Sequence, residues 1–390
     1  MRVRHHFVSR MSAAAVCCIA FAAHAETDPS FLLTATSKDL DAYFPSYLAN
    51  GYFSTMTAPR GTESNLAYMV AFMDYAKDDI SRPAAIPGWT EIDYSTGKST
   101  AGEFWLNQVK LGAKAFRDYS QTLNMRDATL STAYRYTDDS RKSTDIRVTT
   151  FVSQASAHLA ATQMAITPDF SGTVQLSFSF TLWAPHQPRF PIRTMTGDEM
   201  LSGVAANNMT VLEPVNHATP DRAPVWYHGD THVLAKDGDT KELTLWLDGQ
   251  AEQGLSMAQA AAIGLPADLS PADVKLVKHQ YQLGVLVSVP VQRGKTYTFT
   301  KYVAVARQNW GGGAKETLAL AKAARQTGFD QLLEEHRKAW HQLWQSDVVI
   351  DGDPQVQQAV HSDLYYLLSN STVGTAWPME ACALTPNYAG

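Results

Sequence analysis

Apolar and polar residues alternate along Ile146 to Val152, Val174 to Leu182, Leu243 to Leu247 and Leu283 to Val291, and Gly, Pro, Asp or Ser bounds each run. A period of two places every second side chain on one face of an extended chain, so these runs predict strands with one face turned to a core. The stretch from Ala49 to about Tyr302 reads as mostly β, with many short strands and no regularly alternating helices. That pattern predicts an antiparallel sandwich and argues against a doubly wound α/β sheet. Pro266 to Pro271 and the stretch from Asn216 to Pro224 are rich in loop-forming residues. No internal repeat at a solenoid or propeller period is evident.

The period changes at Trp310-Gly-Gly-Gly. From Ala314 to about Trp344, Leu318, Ala321, Phe329, Leu332, Leu333, Trp340, Leu343 and Trp344 recur at helical spacing with a break near Gly328, which predicts two helices. A further helical run, Pro354 to Ser369, follows the turn Asp351-Gly-Asp-Pro. There Asp353 suits an N-cap and Pro354 a first helical position, where the missing amide hydrogen would have had no partner in the helix. Trp340 and Trp344 lie four apart on one helix face and are expected to pack the helices onto the sandwich. The predicted order is sandwich, helical linker, then the start of an all-helical domain, with a turn-rich stretch from Ser371 to Gly390.

The N-terminus adds a compartment to this picture. Arg2, Arg4 and Arg10 precede or open an apolar run from Met11 to Ala23, and Ala23-His24-Ala25 has the small-x-small form of a cleavage site. A signal peptide over residues 1–25 and a mature start at Glu26 are therefore expected, with a periplasmic or secreted product. No stretch reaches the length of about 18 to 20 apolar residues that a permanent helical anchor requires. Cys17 and Cys18 fall within the signal, which leaves Cys382 as a lone thiol unable to staple the fold. Removing three arginines leaves 29 basic residues against 38 acidic ones, a net charge of -9. With no Lys/Arg-rich run, the chain lacks the basic footprint of a nucleic-acid or anionic-membrane binder. Nine Trp and sixteen Tyr suit either a large packed core or stacking on pyranose faces, and composition alone leaves both open.

One stretch carries a family resemblance. Glu335-His336-Arg-Lys-Ala-Trp340-His-Gln-Leu-Trp344, then Asp347 and Val348, Gly352-Asp353-Pro354, Gln357 and Gln358, and Leu364-Tyr365-Tyr366-Leu367-Leu368 resembles the sandwich-to-barrel junction of glycoside hydrolase family 65. Asn50-Gly51-Tyr52 resembles that family's opening strand, and Thr149 to Pro168 a further strand pair of its sandwich. The resemblance implies a mainly β chain: an antiparallel super-β-sandwich, a helical linker and the first helix of an (α/α)6 barrel. Its expected divisions are residues 26–309 for the sandwich, 310–350 for the linker and 351–390 for the start of the barrel.

The family acts on α-linked glucosides with inversion: a carboxylic acid protonates the leaving oxygen, and water activated by a carboxylate, or phosphate, attacks the opposite face. Pro386-Asn387-Tyr388-Ala-Gly390 resembles the stretch that leads into the family's Phe-Trp-Asp motif, and the general-acid Glu lies deeper in the barrel. The resemblance therefore assigns no catalytic residue here. It places Trp377, Asn387 and Tyr388 near the sugar pocket, with an oligosaccharide or α-glucoside as substrate and no cofactor or metal. Export favours hydrolysis over phosphorolysis, because a sugar phosphate made outside the cell conserves nothing the cell can use. Ala85-Ile-Pro-Gly-Trp89-Thr-Glu-Ile-Asp-Tyr94 also looks more like the hydrolase-type members. A phosphorylase of the same family, or a secreted carbohydrate-binding sandwich without a barrel, are the alternatives.

Other motifs admit blander readings. His228-Gly-Asp230-Thr-His232 offers two imidazoles and a carboxylate, but a zinc site on a strand needs same-face spacing plus a third ligand in a defined place, so ordinary loop or strand-edge hydrogen bonds are expected. Gly311-Gly-Gly-Ala-Lys315 lacks the glycine directly before the lysine that a phosphate loop needs, and reads as a hinge before a helix. Asp78-Asp79, Asp138-Asp139 and Glu334-Glu335 are sequence neighbours, which rarely face one cleft as an acid-base pair. No Gly-x-Ser-x-Gly elbow supports serine hydrolysis.

Overall fold

The four alternating runs lie in strands Ser143–Val152, Gly172–Thr181, Thr244–Gln250 and Gln282–Val291 of a computed structural model. It describes residues 28–40, 43, 45–74, 82–99, 102–103, 105–109, 111–112, 114–183, 231–251, 254–308, 312–371, 377, 379 and 383–384. The expected signal peptide, the loop from Asn216 to Pro224, His228, Asp230, Trp310, Cys382, Asn387 and Tyr388 lie outside these residues.

Among the described residues, nine strands form the larger sheet, in the spatial order Leu32–Thr36, Phe116–Asn124, Thr129–Thr137, Ser143–Val152, Leu159–Pro168, Tyr297–Arg307, Ser256–Gly264, Thr244–Gln250 and His232–Asp239. A four-stranded sheet runs Asp273–His279, Gln282–Val291, Gly172–Thr181 and Ile92–Ser95. Every neighbouring pair in both sheets is antiparallel. The expected sandwich is thus present, and Thr149 to Pro168 holds the end of one strand and the whole of the next, which pair with each other.

Both faces of the larger sheet are covered at its central strands. Along Leu159–Pro168, Ala160, Met164 and Ile166 join the main core with Val174, Leu176, Phe178 and Val285 of the smaller sheet. Leu159 and Ala161 point the other way, into a second cluster with Ala260, Ala262 and Ala304. Four alanines leave a shallow strand surface, and helix α1 (Ala314–Thr327) lays its own Ala321 and Ala324 on it. Small side chains on both partners let the helix approach the sheet closely without voids. Gly328, at φ 88°, closes α1 by donating its amide to Ala324 O at 3.0 Å. Its own carbonyl accepts Leu332 N at 3.2 Å in helix α2 (Phe329–Leu343), so the predicted break is a single left-handed residue between two helices.

Helix α3 (Pro354–Ser369) starts as the sequence predicts: Asp353 Oδ1 accepts Gln355 N at 3.0 Å and Val356 N at 3.1 Å. Its buried Tyr365 reaches the sandwich, donating to Tyr47 O at 2.8 Å. Leu364 and Leu368 of this helix pack against the core, whereas Leu367 is 62% exposed and Val356 45% exposed. Among the described residues no helix is long and apolar enough to cross a membrane.

One charge crosses between the sheets. Lys301 is fully buried; its ammonium donates to Ser179 O and Glu91 O and lies 4.7 Å from the centre of the Phe180 ring. Burial pulls its pKa down to about 7, against the opposing pull of the Glu91 carboxylate. Thr181 Oγ1 in turn donates to Glu91 Oε2 at 3.1 Å, so this acid is held by the smaller sheet as well.

Candidate functional site

The Asn50-Gly51-Tyr52 tripeptide is the turn of a short hairpin, Tyr47–Ala49 paired with Ser54–Met56. Gly51 takes φ 78°, a conformation that favours glycine. Asn50 is fully buried and its side-chain amide is spent on backbone groups. Nδ2 donates to Ser153 O at 2.7 Å and Ala157 O at 2.9 Å, while Oδ1 accepts Tyr52 N at 3.0 Å and Phe53 N at 3.1 Å. One asparagine thereby ties the hairpin to the loop between strands Ser143–Val152 and Leu159–Pro168.

These two tied segments form a platform for the chain that follows α3. Tyr47 Oη donates to Asn370 Oδ1 at 3.1 Å, and Gln154 Nε2 donates to Ser371 O at 3.2 Å. Trp377 then lies on the platform, its ring 4.8 Å from Tyr52 and 6.4 Å from His158. Tyr52 and His158 also meet edge to face at 4.3 Å. The Tyr52 hydroxyl accepts Arg307 N at 2.8 Å, and His158 Nδ1 donates to Val305 O at 3.0 Å. Burial holds the His158 pKa below its usual value, so the ring is neutral near neutral pH. Of the three residues expected near a sugar, the structure describes Trp377 and sets it against sandwich aromatics.

The linker docks on the opposite end of the same loop. His336 is fully buried in α2; its Nδ1 accepts Gln154 N at 3.1 Å and its Nε2 donates to Asp127 O at 2.8 Å. The Asp127 carboxylate accepts His341 Nε2 at 2.8 Å and forms an ion pair with Arg337, whose Nε lies 3.1 Å away. Trp344 behaves as predicted, donating Nε1 to Met125 O at 3.0 Å and meeting Phe31 edge-on at 4.9 Å. Trp340 instead stacks on Tyr365 of α3 at 5.4 Å, so it joins two helices as well as covering the core.

The remaining candidates among the described residues take structural roles. Asp138 Oδ1 accepts Lys142 N at 2.8 Å and fixes a hairpin turn, Asp139 is exposed, and Glu335 Oε1 accepts Gln331 Nε2 at 2.7 Å on the outside of α2. Asp78 and Asp79 lie outside the described residues. The amides opening α1 are taken by carboxylates, Gly313 N by Glu316 at 3.2 Å and Ala314 N by Asp248 at 3.1 Å. That is the chemistry of a capped helix. His232 opens an edge strand, and among the described residues no three His, Cys, Asp or Glu cluster to hold a metal. Sequence reasoning quoted Asn50 and His336 within motifs without seeing their work, and it missed His158 and Tyr47.

The architecture defines a class: an antiparallel sandwich carrying docked helices on one sheet and a platform for the chain beyond them. Residues 47–343 match the model of the glycosyl hydrolase family 65 N-terminal domain, and the chain belongs to that family. It is 42% identical over 93 residues to a kojibiose hydrolase of Mucilaginibacter mallensis, covering 24% of this chain and 14% of that protein. Over 71 residues it is 38% identical to a nigerose phosphorylase of Lachnoclostridium phytofermentans, covering 18% and 9% respectively. A solved structure described as a putative kojibiose phosphorylase from the human microbiome superposes with a TM-score of 0.61 at 14% identity, covering 87% of this chain and 41% of that one. The chain thus spans about two fifths of that structure's length, and the likeness is one of fold.

Proposed function

We propose that this chain is the N-terminal part of an exported, inverting glycoside hydrolase acting on α-linked glucosides, in which the sandwich and linker support a barrel that supplies the acid and base. The observation that carries this reading is the family match across the sandwich and both linker helices, together with the 42% identity to a kojibiose hydrolase. Trp377, Asn387 and Tyr388 would stand at the approach to the sugar pocket, with Trp377 backed by Tyr52 and His158. Hydrolysis rather than phosphorolysis follows from the signal peptide read at residues 1–25.

The test begins with the coding DNA beyond Gly390 and expression of its full product with trehalose, kojibiose and related glucosides. Proton NMR of the first product is expected to show β-glucose released without phosphate. A strict phosphate requirement would favour the phosphorylase reading, α-glucose would remove inversion, and an open reading frame without a barrel would leave a carbohydrate-binding sandwich.

A further inference from the structure

Leu384 is 1% exposed, and both of its backbone polar groups end on side chains of the sandwich hairpin more than three hundred positions earlier. Its amide donates to Tyr47 Oη at 3.1 Å; its carbonyl accepts Ser54 Oγ at 2.6 Å. Tyr47 and Ser54 are themselves buried and fixed. Tyr47 Oη passes its own proton to Asn370 Oδ1 at 3.1 Å, and Tyr47 O takes the Tyr365 hydroxyl at 2.8 Å. Ser54 pairs with Ala49 across the hairpin, and its carbonyl accepts Trp89 Nε1 at 3.4 Å.

We propose that Tyr47 and Ser54 are positioning residues: they clamp the Leu384 peptide on the sandwich and so set the path on which the chain enters the sugar-facing stretch. Two features single this contact out from ordinary packing. Buried backbone amides and carbonyls must find partners and mostly find other backbone groups, yet here both groups of one residue are captured by side-chain hydroxyls of one hairpin, which fixes backbone position and direction together. The same tyrosine oxygen also holds Asn370 at the end of α3, so one atom sets the two ends of the segment 370–384 relative to each other. Burial raises the Tyr47 pKa well above its usual value, which keeps the phenol protonated and able to donate. The catalytic meaning of this clamp rests on the glycosidase reading above.

The clamp itself is read by amide hydrogen exchange on the 390-residue chain. Leu384 N–H is expected to be protected, and Tyr47→Phe to raise its exchange at least tenfold while amides of Leu159–Pro168 keep their rates. Ser54→Ala should loosen the same residue, and Ser54→Thr, which keeps the hydroxyl, should restore it. An unprotected Leu384 amide in the parent chain, or exchange rising equally across the sandwich in both variants, overturns the clamp. In the full-length product the same two variants are expected to lower kcat roughly 10- to 100-fold, the scale of an ångström misplacement, with KM within about twofold. Unchanged kcat with a released Leu384 would refute the positioning role. Should the full product cleave no glucoside, the function reading fails while the exchange result still decides the clamp.

Discussion

The His336 imidazole accepts a proton bond from Gln154 N at 3.1 Å through Nδ1 and donates one to Asp127 O at 2.8 Å through Nε2, so the ring docks α2 as a neutral tautomer. The bond from Gln154 needs that form, because a protonated Nδ1 would point a hydrogen at the amide; the bond to Asp127 O fixes which nitrogen carries the proton.

A pH dependence follows from this geometry. Burial pulls the His336 pKa from 6.5 down to about 4; Arg337 acts in the same direction, while Asp127 and the two carbonyls oppose it. The unfolded chain therefore takes up a proton as pH falls through about 6.5, and the folded one does so only near 4. The stability this group contributes is complete above pH 6.5 and declines steadily as the pH falls to about 4, in total by roughly 3 kcal/mol. Urea unfolding across that range should show the decline in the parent chain and a flatter profile in His336→Gln. Parallel profiles would show that other groups govern the acid limb.

Asn50→Ala should be among the more damaging single changes outside the apolar core. It removes the side-chain partner of four buried or part-buried backbone groups, the carbonyls of Ser153 and Ala157 and the amides of Tyr52 and Phe53, for a loss of about 2–4 kcal/mol. Asn50→Asp keeps the acceptor and loses the donors, and should recover part of that loss at most. Denaturant midpoints of the three proteins check the order, and a midpoint for Asn50→Ala within error of the parent would contradict it.

Ala262→Leu tests the close approach of α1 to the sheet. Ala262 is fully buried among Ala260, Ala304, Ala321 and Ala324, and the three heavy atoms that leucine adds have nowhere to go. Overpacking of this kind costs about 1–3 kcal/mol, and here the helix is the part able to move. Limited proteolysis should cut sooner within 312–344, leaving the β core resistant; an unchanged digestion pattern would mean the interface is looser than its packing indicates.

Local patterns were legible in the sequence, and long-range polar contacts were not. The period-two runs, the Gly328 break and the Asp353 cap each depend on residues within a few positions of one another, so the text of the chain carries them. The alternation also marks one buried face of Leu159–Pro168, but nothing local says that Ala161 on the other face is covered by α1 from 150 positions away. Tyr47 looks like any strand aromatic until Asn370 and Leu384 arrive at its hydroxyl. Trp340 packs on the core as its spacing predicts, but its stacking on Tyr365 of α3 was not legible, since spacing gives a face of α2 and leaves open which other element meets it.

The remaining prediction concerns activity. Residues 1–390 expressed alone are expected to hydrolyse none of trehalose, kojibiose or nitrophenyl α-glucoside. Cleavage with inversion needs an acid and a base about 6.5 to 9.5 Å apart across one bond, and the family resemblance places the acid beyond Gly390. Among the described residues, the adjacent pairs offer no facing acid and base: Asp138 is tied to Lys142 N, and Glu335 lies outward on α2. Loss of proton transfer alone costs about 10²–10⁴ in rate, and loss of positioning more. Leu367 and Val356 on the outer side of α3 should meanwhile make the protein associate at high concentration, a tendency that Leu367→Glu should reduce. Turnover by purified protein that disappears when one carboxylate within residues 26–390 is changed to its amide would sink this expectation and move the catalytic site into the sandwich.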